Sequence, residues 1–132
     1  MTAADTTSAF LDACGLTLTE VTGRRVVGTV ELDERHHTPW GVVHGGLYAS
    51  LVETAASVGA STAVADAGQF AVGLHNGTDF LRSSTGCTAE VVAEAIQQGR
   101  TQQLWLVTVT DTSTGKALAR GQLRLQNIPL PS

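Results

Sequence analysis

The longest apolar stretch of the sequence predicts one central helix. Leu47–Val64 contains only Leu, Val, Ala, Gly, Ser, Thr and Tyr apart from a single charged residue, Glu53. A helix from Gly46 to about Val64 would be apolar on nearly all sides, which is typical of a buried helix rather than an amphipathic one. The motif His44-Gly45-Gly46 marks its start.

Segments with the composition or alternation of strands lie on both sides of this helix. Two precede it and four follow it, and short turns join them, which favours an antiparallel sheet. A single sheet wrapped around one helix is the economical arrangement, so we expect one α+β domain spanning residues 1–132. The predicted strands are Leu16–Thr22, Arg24–Leu32, Phe70–Phe80, Gly86–Gln97, Thr101–Thr112 and Lys116–Asn127.

The remaining segments predict a short helix, a loop and an irregular strand. Thr6–Cys14 has the pattern of a helix that ends at Gly15. Asp33–Val43 contains Pro and Gly and is expected to be a loop. Gly73 and Gly77 interrupt a predicted strand, which indicates a bulge or a close backbone approach.

The composition fits one globular domain and narrows the possible partners. Of 132 residues, 42% are apolar and 15% are charged, which is typical of a chain with a packed core. Eight basic and twelve acidic residues give a net charge of −4. This balance argues against nucleic-acid binding, which usually needs a basic patch. Arg24, Arg25 and Arg100 could still hold a phosphorylated ligand.

We expect a cytoplasmic protein that does not enter a membrane. Residues 1–10 lack the basic and apolar regions of a signal peptide. Leu47–Val64 has nearly the length of a membrane span, but Glu53 and its many small residues make it too polar. Cys14 and Cys87 fit no zinc or redox spacing, so we expect reduced cysteines that serve packing.

Glu53 is the residue that most suggests chemistry. Removing a carboxylate from water among Leu, Val and Ala costs several kcal/mol unless the group is paired or has a function. Nearby, Gly45 and Gly46 open a helix whose first N–H groups have no intrahelical partner and can bind an oxyanion. An acid near such donors indicates attack on a carbonyl, although a structural acid in a subunit contact has a similar signature.

A longer motif resembles a known family. The segment Thr38-Pro-Trp-Gly-Val-Val-His-Gly-Gly46, followed after six residues by Glu53, resembles the hotdog-fold thioesterases. It is most similar to the PaaI-like group and to the glutamate-using 4-hydroxybenzoyl-CoA thioesterases. The likeness continues through Phe70–Arg82, Gly99–Trp105 and the last strand, over residues 16–127. It implies an antiparallel sheet wrapped around one long central helix, and acyl-CoA hydrolysis.

The resemblance implies roles for individual residues. Glu53 matches the catalytic carboxylate, as nucleophile or general base, and the Gly45 N–H matches the donor to the thioester carbonyl. Ser57 matches a hydroxyl that holds the acid or its water. His44 is expected to support the site by packing and capping the helix start. A zinc site is not expected, because no acid or cysteine joins the histidines at ligand spacing.

The resemblance also places the coenzyme A part of the substrate. Arg100 and Thr101 match a loop that meets the coenzyme A phosphates, and Arg82 is assigned to the same ligand. No separate cofactor is implied, since coenzyme A belongs to the substrate.

Thr38 departs from the family pattern. The family usually has Asn or Gln at this position, where the side chain helps polarise the thioester carbonyl. The threonine hydroxyl either reaches the carbonyl, directly or through water, or His37 substitutes for it, or the role is lost.

Helix geometry predicts a shared site. Gly45 and Glu53 are eight residues apart, which is about 12 Å along one helix. Reacting groups must approach to about 3–3.5 Å, so two chains must place their helices antiparallel if both residues act on one carbonyl. A twofold dimer does this, and a homotetramer of such dimers is expected. Small residues beside Glu53 would allow the approach: Ala49, Ser50, Ala56, Ser57 and Ala60.

The leading hypothesis is a thioesterase for a small aromatic acyl-CoA of the hydroxybenzoyl or phenylacetyl kind. Trp40 is expected to line the acyl pocket. One alternative is a related hydratase or dehydratase that uses a His and an acid for proton transfer. Another is a non-catalytic acyl-CoA-binding regulatory module. The departure from the family pattern at Thr38 is compatible with this alternative, whereas the presence of Glu53 disfavours it.

Overall fold

The computed structural model describes residues 8–131 and confirms the predicted sheet around one long helix. All six predicted strands form, with ends shifted by at most a few residues. The part of the first helix predicted for Thr6 and Thr7 lies outside the described residues. The helices are α1 (Ala9–Cys14) and α2 (Gly45–Val64), with short 3₁₀ turns at Glu34–His36 and Ala65–Ala67; the strands are β1 (Thr17–Val21), β2 (Arg25–Leu32), β3 (Gln69–Phe80), β4 (Cys87–Gln98), β5 (Gln102–Asp111) and β6 (Ala117–Pro129).

The strands form one antiparallel sheet in the order β1-β2-β4-β5-β6-β3. β3 follows α2 in the chain but pairs with β6, so the helix carries the chain from one side of the sheet to the other. The two edge strands differ in length, with five residues in β1 and twelve in β3. Within residues 8–131, no strand pairs with the outer edge of β3.

The core lies between α2 and one face of the sheet. In β5, Gln103, Trp105, Val107 and Val109 are buried at alternate positions, as the pleat of a strand requires. Burying each large apolar side chain contributes about 1.5–3 kcal/mol. The helix residues on this face are Leu47, Tyr48, Leu51, Val52, Ala55, Ala56, Gly59 and Ala60.

The prediction that α2 is buried on nearly all sides is wrong for a single chain. The sheet covers only one side of the helix, and Glu53 is exposed on another. Ala56 and Ala60, which we expected on the open side, are fully buried because their helical positions turn them toward the sheet. Within one chain, therefore, the Glu53 carboxylate is not desolvated as its neighbours in the sequence suggested.

Two smaller predictions are confirmed. The pairing of β3 with β6 is irregular between Gly73 and His75, where a bulge was expected. Cys14 is buried, Cys87 is half-buried, and neither forms a disulfide.

No helix among residues 8–131 combines the length and the hydropathy needed to cross a membrane.

Candidate functional site

His44 caps the start of α2 and fixes its own tautomer. Its Nδ1 accepts a hydrogen bond from the Gly46 N–H at 2.7 Å. A backbone N–H can only donate, so the neutral imidazole carries its proton on Nε2. The backbone N–H of His44 in turn donates to the His36 carbonyl at 2.8 Å, which anchors the loop before the helix. The expected capping role of His44 is thus present in the structure.

The N–H of Gly45 remains available at the helix start. Its neighbour Gly46 donates to the His44 ring, and Leu47 donates to the His44 carbonyl. Among residues 8–131, the Gly45 N–H forms no hydrogen bond. An unpaired N–H at a helix N-terminus carries partial positive charge and favours a negatively charged oxygen. This is the geometry that an oxyanion donor requires.

The ring of Phe80 forms a wall beside Gly45. A Cβ atom at position 45 would lie 2.6 Å from Cε2 of Phe80, closer than real contacts allow, so a larger residue here would require the ring to move. Phe80 is 58% exposed, and its ring also approaches the ring of Tyr48 with centroids 6.4 Å apart. An exposed aromatic surface therefore lies next to the free N–H.

Glu53 is contacted by a residue that sequence reasoning missed. The side-chain amide of Asn76 in β3 donates to Oε1 of Glu53 at 3.5 Å and to the carbonyl of Ala49 at 2.9 Å. The hydroxyl of Thr78 donates to Oδ1 of Asn76 at 2.7 Å and so orients the amide. None of the ion pairs among residues 8–131 includes Glu53.

A signal for Asn76 was present in the sequence. Asn is unfavourable inside strands, and Asn76-Gly77 falls in the middle of a predicted strand. Only the pairing of β3 with the rest of the sheet shows that this amide faces the helix at Glu53. Ser57 is half-buried four residues after Glu53, and no hydrogen bond of its hydroxyl is present among residues 8–131.

Thr38 shapes the loop before the helix. Its Oγ1 accepts a hydrogen bond from the Trp40 N–H at 3.1 Å, and its carbonyl accepts one from the Gly41 N–H at 3.0 Å. Gly41 has a φ of 79°, a left-handed conformation that suits glycine. The oxygen of the hydroxyl is therefore in use, while its hydrogen can still be donated to a ligand.

The neighbouring histidine is engaged elsewhere. Nε2 of His37 lies 2.7 Å from the carbonyl oxygen of Thr85 and must donate to it. In the neutral ring this leaves only an acceptor at Nδ1, so neutral His37 has no donor left for a thioester carbonyl. This contact disfavours the alternative in which His37 substitutes for the family's Asn or Gln.

The structure separates the arginines assigned to coenzyme A. The backbone N–H of Arg82 donates to the carbonyl of Leu118 at the start of β6, whereas the carbonyl of Arg100 accepts from Asn127 near its end. Nine residues of strand span about 30 Å. Arg82 and Arg100 of one chain therefore lie at opposite ends of the sheet, and only Arg100 shares a turn with Thr101.

A family model decides the membership of the chain. The model of the thioesterase superfamily matches residues 41–118, which contain His44, Gly45 and Glu53. The chain belongs to this superfamily.

Known proteins agree with this assignment. The chain is 47% identical over 90 residues to a Mycobacterium tuberculosis protein named "Putative esterase Rv1847". That match covers 67% of this chain and 64% of the relative's length. The solved structure of the same relative has a TM-score of 0.89 at 38% identity and covers 95% of this chain and 100% of that chain. This similarity confirms the predicted hotdog fold.

A second relative carries a more specific name. The 1,4-dihydroxy-2-naphthoyl-CoA hydrolase of Listeria monocytogenes is 31% identical over 100 residues, covering 76% of this chain and 80% of that protein.

Other nucleophiles near this thioesterase-superfamily site are held in their protonated forms. Burial raises the pKa of the Cys87 thiol, and burial with the nearby Cys87 and Asp111 raises the pKa of Tyr48 to about 12. Thiolate is the reactive form of cysteine, so a raised pKa makes Cys87 a poor nucleophile. Among residues 8–131, no three His, Cys, Asp or Glu side chains are grouped as metal ligands would be. The exposed Glu53 carboxylate remains the candidate for attack or base catalysis.

Proposed function

We propose that the protein hydrolyses a small aromatic acyl-CoA thioester to the free acid and coenzyme A. The observation that supports this most is the free Gly45 N–H at the start of the helix that also carries Glu53. Glu53 acts as nucleophile or general base, and the Gly45 N–H polarises the carbonyl. Water provides the hydroxyl of the product acid and the proton that the departing thiolate takes up.

The chemistry needs two contributions, and the site offers both. A carboxylate can attack the carbonyl or remove a proton from water. A donor aimed at the developing oxyanion is worth about 10²–10³-fold in rate. His44 supports the donor because its cap leaves the Gly45 N–H free while it satisfies the next N–H of the helix.

We infer that the active site is shared between two chains. Gly45 and Glu53 are too far apart along α2 to act on one carbonyl within a chain. The open edge of β3 supports pairing with a second copy, because a long unpaired edge strand is a surface for strand addition. Leu74, Phe80 and Leu81 are exposed apolar residues in and after this strand. Assembly of such dimers into a homotetramer remains a prediction.

Two observations favour an aromatic acyl group. Phe80 places an exposed ring against Gly45, and Trp40 is 90% exposed in the loop before the helix. Aromatic pairs contribute about 0.5–1.5 kcal/mol beyond the area that they bury. The name of the Listeria monocytogenes relative specifies an aromatic acyl-CoA, which points in the same direction.

A panel of acyl-CoA thioesters tests the proposal. Release of free thiol is measured for benzoyl, hydroxybenzoyl, phenylacetyl, naphthoyl and straight-chain acyl-CoAs. We expect aromatic thioesters to have the highest kcat/KM. Binding without thiol release would favour the regulatory module, and a change in the acyl chain without thiol release would favour the hydratase.

The variant Glu53→Gln supplies the decisive comparison. Removing the acid or nucleophile should lower kcat by about a hundredfold or more on the best substrate of the panel. Because Glu53 is exposed within the chain, the variant should keep its thermal stability. Turnover close to that of the parent would show that Glu53 is not catalytic.

A further inference from the structure

Two buried amide side chains and a half-buried one form a hydrogen-bonded network beneath two turns at one end of the sheet. Gln103 is 2% exposed and Asn127 is 6% exposed. The Gln103 amide donates to Oδ1 of Asn127 at 2.8 Å and to the carbonyl of Ala60 in α2 at 3.0 Å. Oε1 of Gln103 accepts from Trp105 at 2.9 Å and from Gln98 at 3.0 Å. Every polar atom of Gln103 thus has its partners.

The network ends on the backbone of both turns. Gln98 donates to the carbonyl of Gly23 at 2.7 Å, in the turn between β1 and β2. The Asn127 amide donates to the carbonyls of Gly99 and Arg100 at 3.3 and 3.2 Å, in the turn between β4 and β5. The two turns and the last part of α2 are therefore held together by side-chain amides.

Filling the core would not require such a network. Apolar side chains of similar volume often stabilise a protein as well as buried polar groups or better, because polar groups must first be desolvated. Here three of the six hydrogen bonds that the amides donate go to carbonyls of the two turns. A satisfied buried network makes the position of these turns rigid.

Each turn presents an arginine whose charge is not neutralised by an acid. Nη1 of Arg24 donates to the neutral side chain of Gln98 at 3.1 Å. Its neighbour Arg25 instead pairs with Glu20 and Glu94 at 3.2 and 2.8 Å. None of the ion pairs among residues 8–131 includes Arg24 or Arg100. The network therefore fixes the two turns that carry Arg24 and Arg100.

We propose that Gln98, Gln103 and Asn127 are positioning residues that hold Arg24 and Arg100 as one binding surface for the phosphates of coenzyme A. This inference rests on the proposed function and extends its substrate site to the β1–β2 turn. Ala60, to which Gln103 is anchored, lies seven residues after Glu53, or about 10 Å along α2. Phosphates at these turns would be separated from the carboxylate, and the pantetheine arm would bridge that separation.

Adjacent residues provide matched controls for the test. Arg24→Gln removes the free cation, and Arg25→Gln removes the neighbouring cation that already pairs with two carboxylates. Gln98→Met breaks the link between Arg24 and the network, and Gln97→Met makes the same change at the next, exposed position. Binding of coenzyme A and of pantetheine, which lacks the phosphates, is measured by titration calorimetry.

We expect Arg24→Gln and Gln98→Met each to weaken coenzyme A binding about three- to tenfold, as loss of a charge-assisted contact would. Pantetheine binding should stay within about twofold of the parent in both variants, as should coenzyme A binding by the two controls. The double variant Arg24→Gln/Gln98→Met should be no weaker than either single variant, because both changes remove the same contact.

Two results would overturn the inference. One is parental coenzyme A affinity in Arg24→Gln. The other is an equal loss of coenzyme A and pantetheine affinity in Gln98→Met, which would indicate a structural role only. Calorimetry of coenzyme A binding does not depend on turnover. If the protein hydrolyses no thioester but Arg24→Gln and Gln98→Met still weaken coenzyme A binding, the proposed function is refuted and this inference stands. Gln98 is only half-buried, so its variant should fold even if substitutions of Gln103 do not.

Discussion

At the scale of single residues, the site depends on polar side chains that hold one another. The Asn76 amide contacts the Glu53 carboxylate and is itself oriented by the Thr78 hydroxyl. The Thr38 hydroxyl accepts from the Trp40 N–H and keeps its own hydrogen. These contacts predict which neighbours of the reacting groups affect the chemical step.

Substitutions of Asn76 should affect turnover more than binding. Asn76→Leu removes the donor to Glu53 and should lower kcat about tenfold with little change in KM, since one hydrogen bond to a charged group contributes about 1.5–3 kcal/mol. Asn76→Asp adds a like charge beside Glu53 and should lower kcat further. Thr78→Ser keeps the orienting hydroxyl and serves as the control. Parental kcat in both Asn76 variants would show that the contact does not matter for catalysis.

Substitution of Thr38 distinguishes its two roles. If the hydroxyl donates to the thioester carbonyl, Thr38→Val should lower the single-turnover rate, by less than the 10²–10³-fold of a strong oxyanion donor. Thr38→Gln would then match or exceed the parent. If Thr38 only shapes the turn, the chemical step in Thr38→Val is unchanged and Thr38→Gln weakens binding through its bulk. Rapid-mixing assays of both variants separate the two cases.

At the scale of elements, the start of α2 is fitted against the end of β3. The first helical residue, Gly45, lies under the ring of Phe80, and a side chain at position 45 would fit only if the ring moved. The capped helix start and the strand end therefore form one surface, with the free N–H beside the ring.

This fit predicts a coupled effect of two substitutions. Gly45→Ala should lower the free energy of unfolding by about 1–3 kcal/mol, as overpacking does, and should lower kcat/KM because the ring must move. In a Phe80→Ala background the added methyl group has room, so the cost of Gly45→Ala should fall. Denaturant titration of the four proteins in this cycle measures the coupling. Equal costs in both backgrounds would mean that Phe80 does not restrict position 45.

At the scale of the whole molecule, the open face of α2 and the open edge of β3 lie together at Glu53. Within one chain, the Glu53 carboxylate has no free oxyanion donor within reach, and the Gly45 N–H has no carboxylate within reach. A second copy paired at this edge would complete two equivalent sites.

Mixed dimers test this shared site. All chains in this test carry Phe80→Ala. One variant also carries Glu53→Ala, which removes the acid, and the other carries Gly45→Pro, which removes the N–H. Proline suits the first position of a helix. Each variant alone should be inactive. After unfolding and refolding as an equal mixture, about half of the dimers are mixed and each has one intact site, so about a quarter of the Phe80→Ala activity should return. A mixture without restored activity, or full activity in a monomer shown by sedimentation, would exclude the shared site.

Local pattern determined the elements of this protein and indicated its candidate reacting residues. The apolar run predicted α2 and alternation predicted the strands, because helix and strand periods are properties of neighbouring residues. The His-Gly-Gly motif with Glu53 indicated the candidate site. The capping role of His44 also followed, since a cap acts within one turn of the chain.

Only the tertiary structure decided which faces are covered and which distant residues meet. Glu53 is exposed because the sheet covers one side of α2, and composition alone could not show which side. Asn76 reaches Glu53, and Arg24 is joined to the turn of Arg100, through strand pairings between residues far apart in the chain. Arg82 and Arg100 are separated for the same reason, because the register along β6 places them at opposite ends of one sheet.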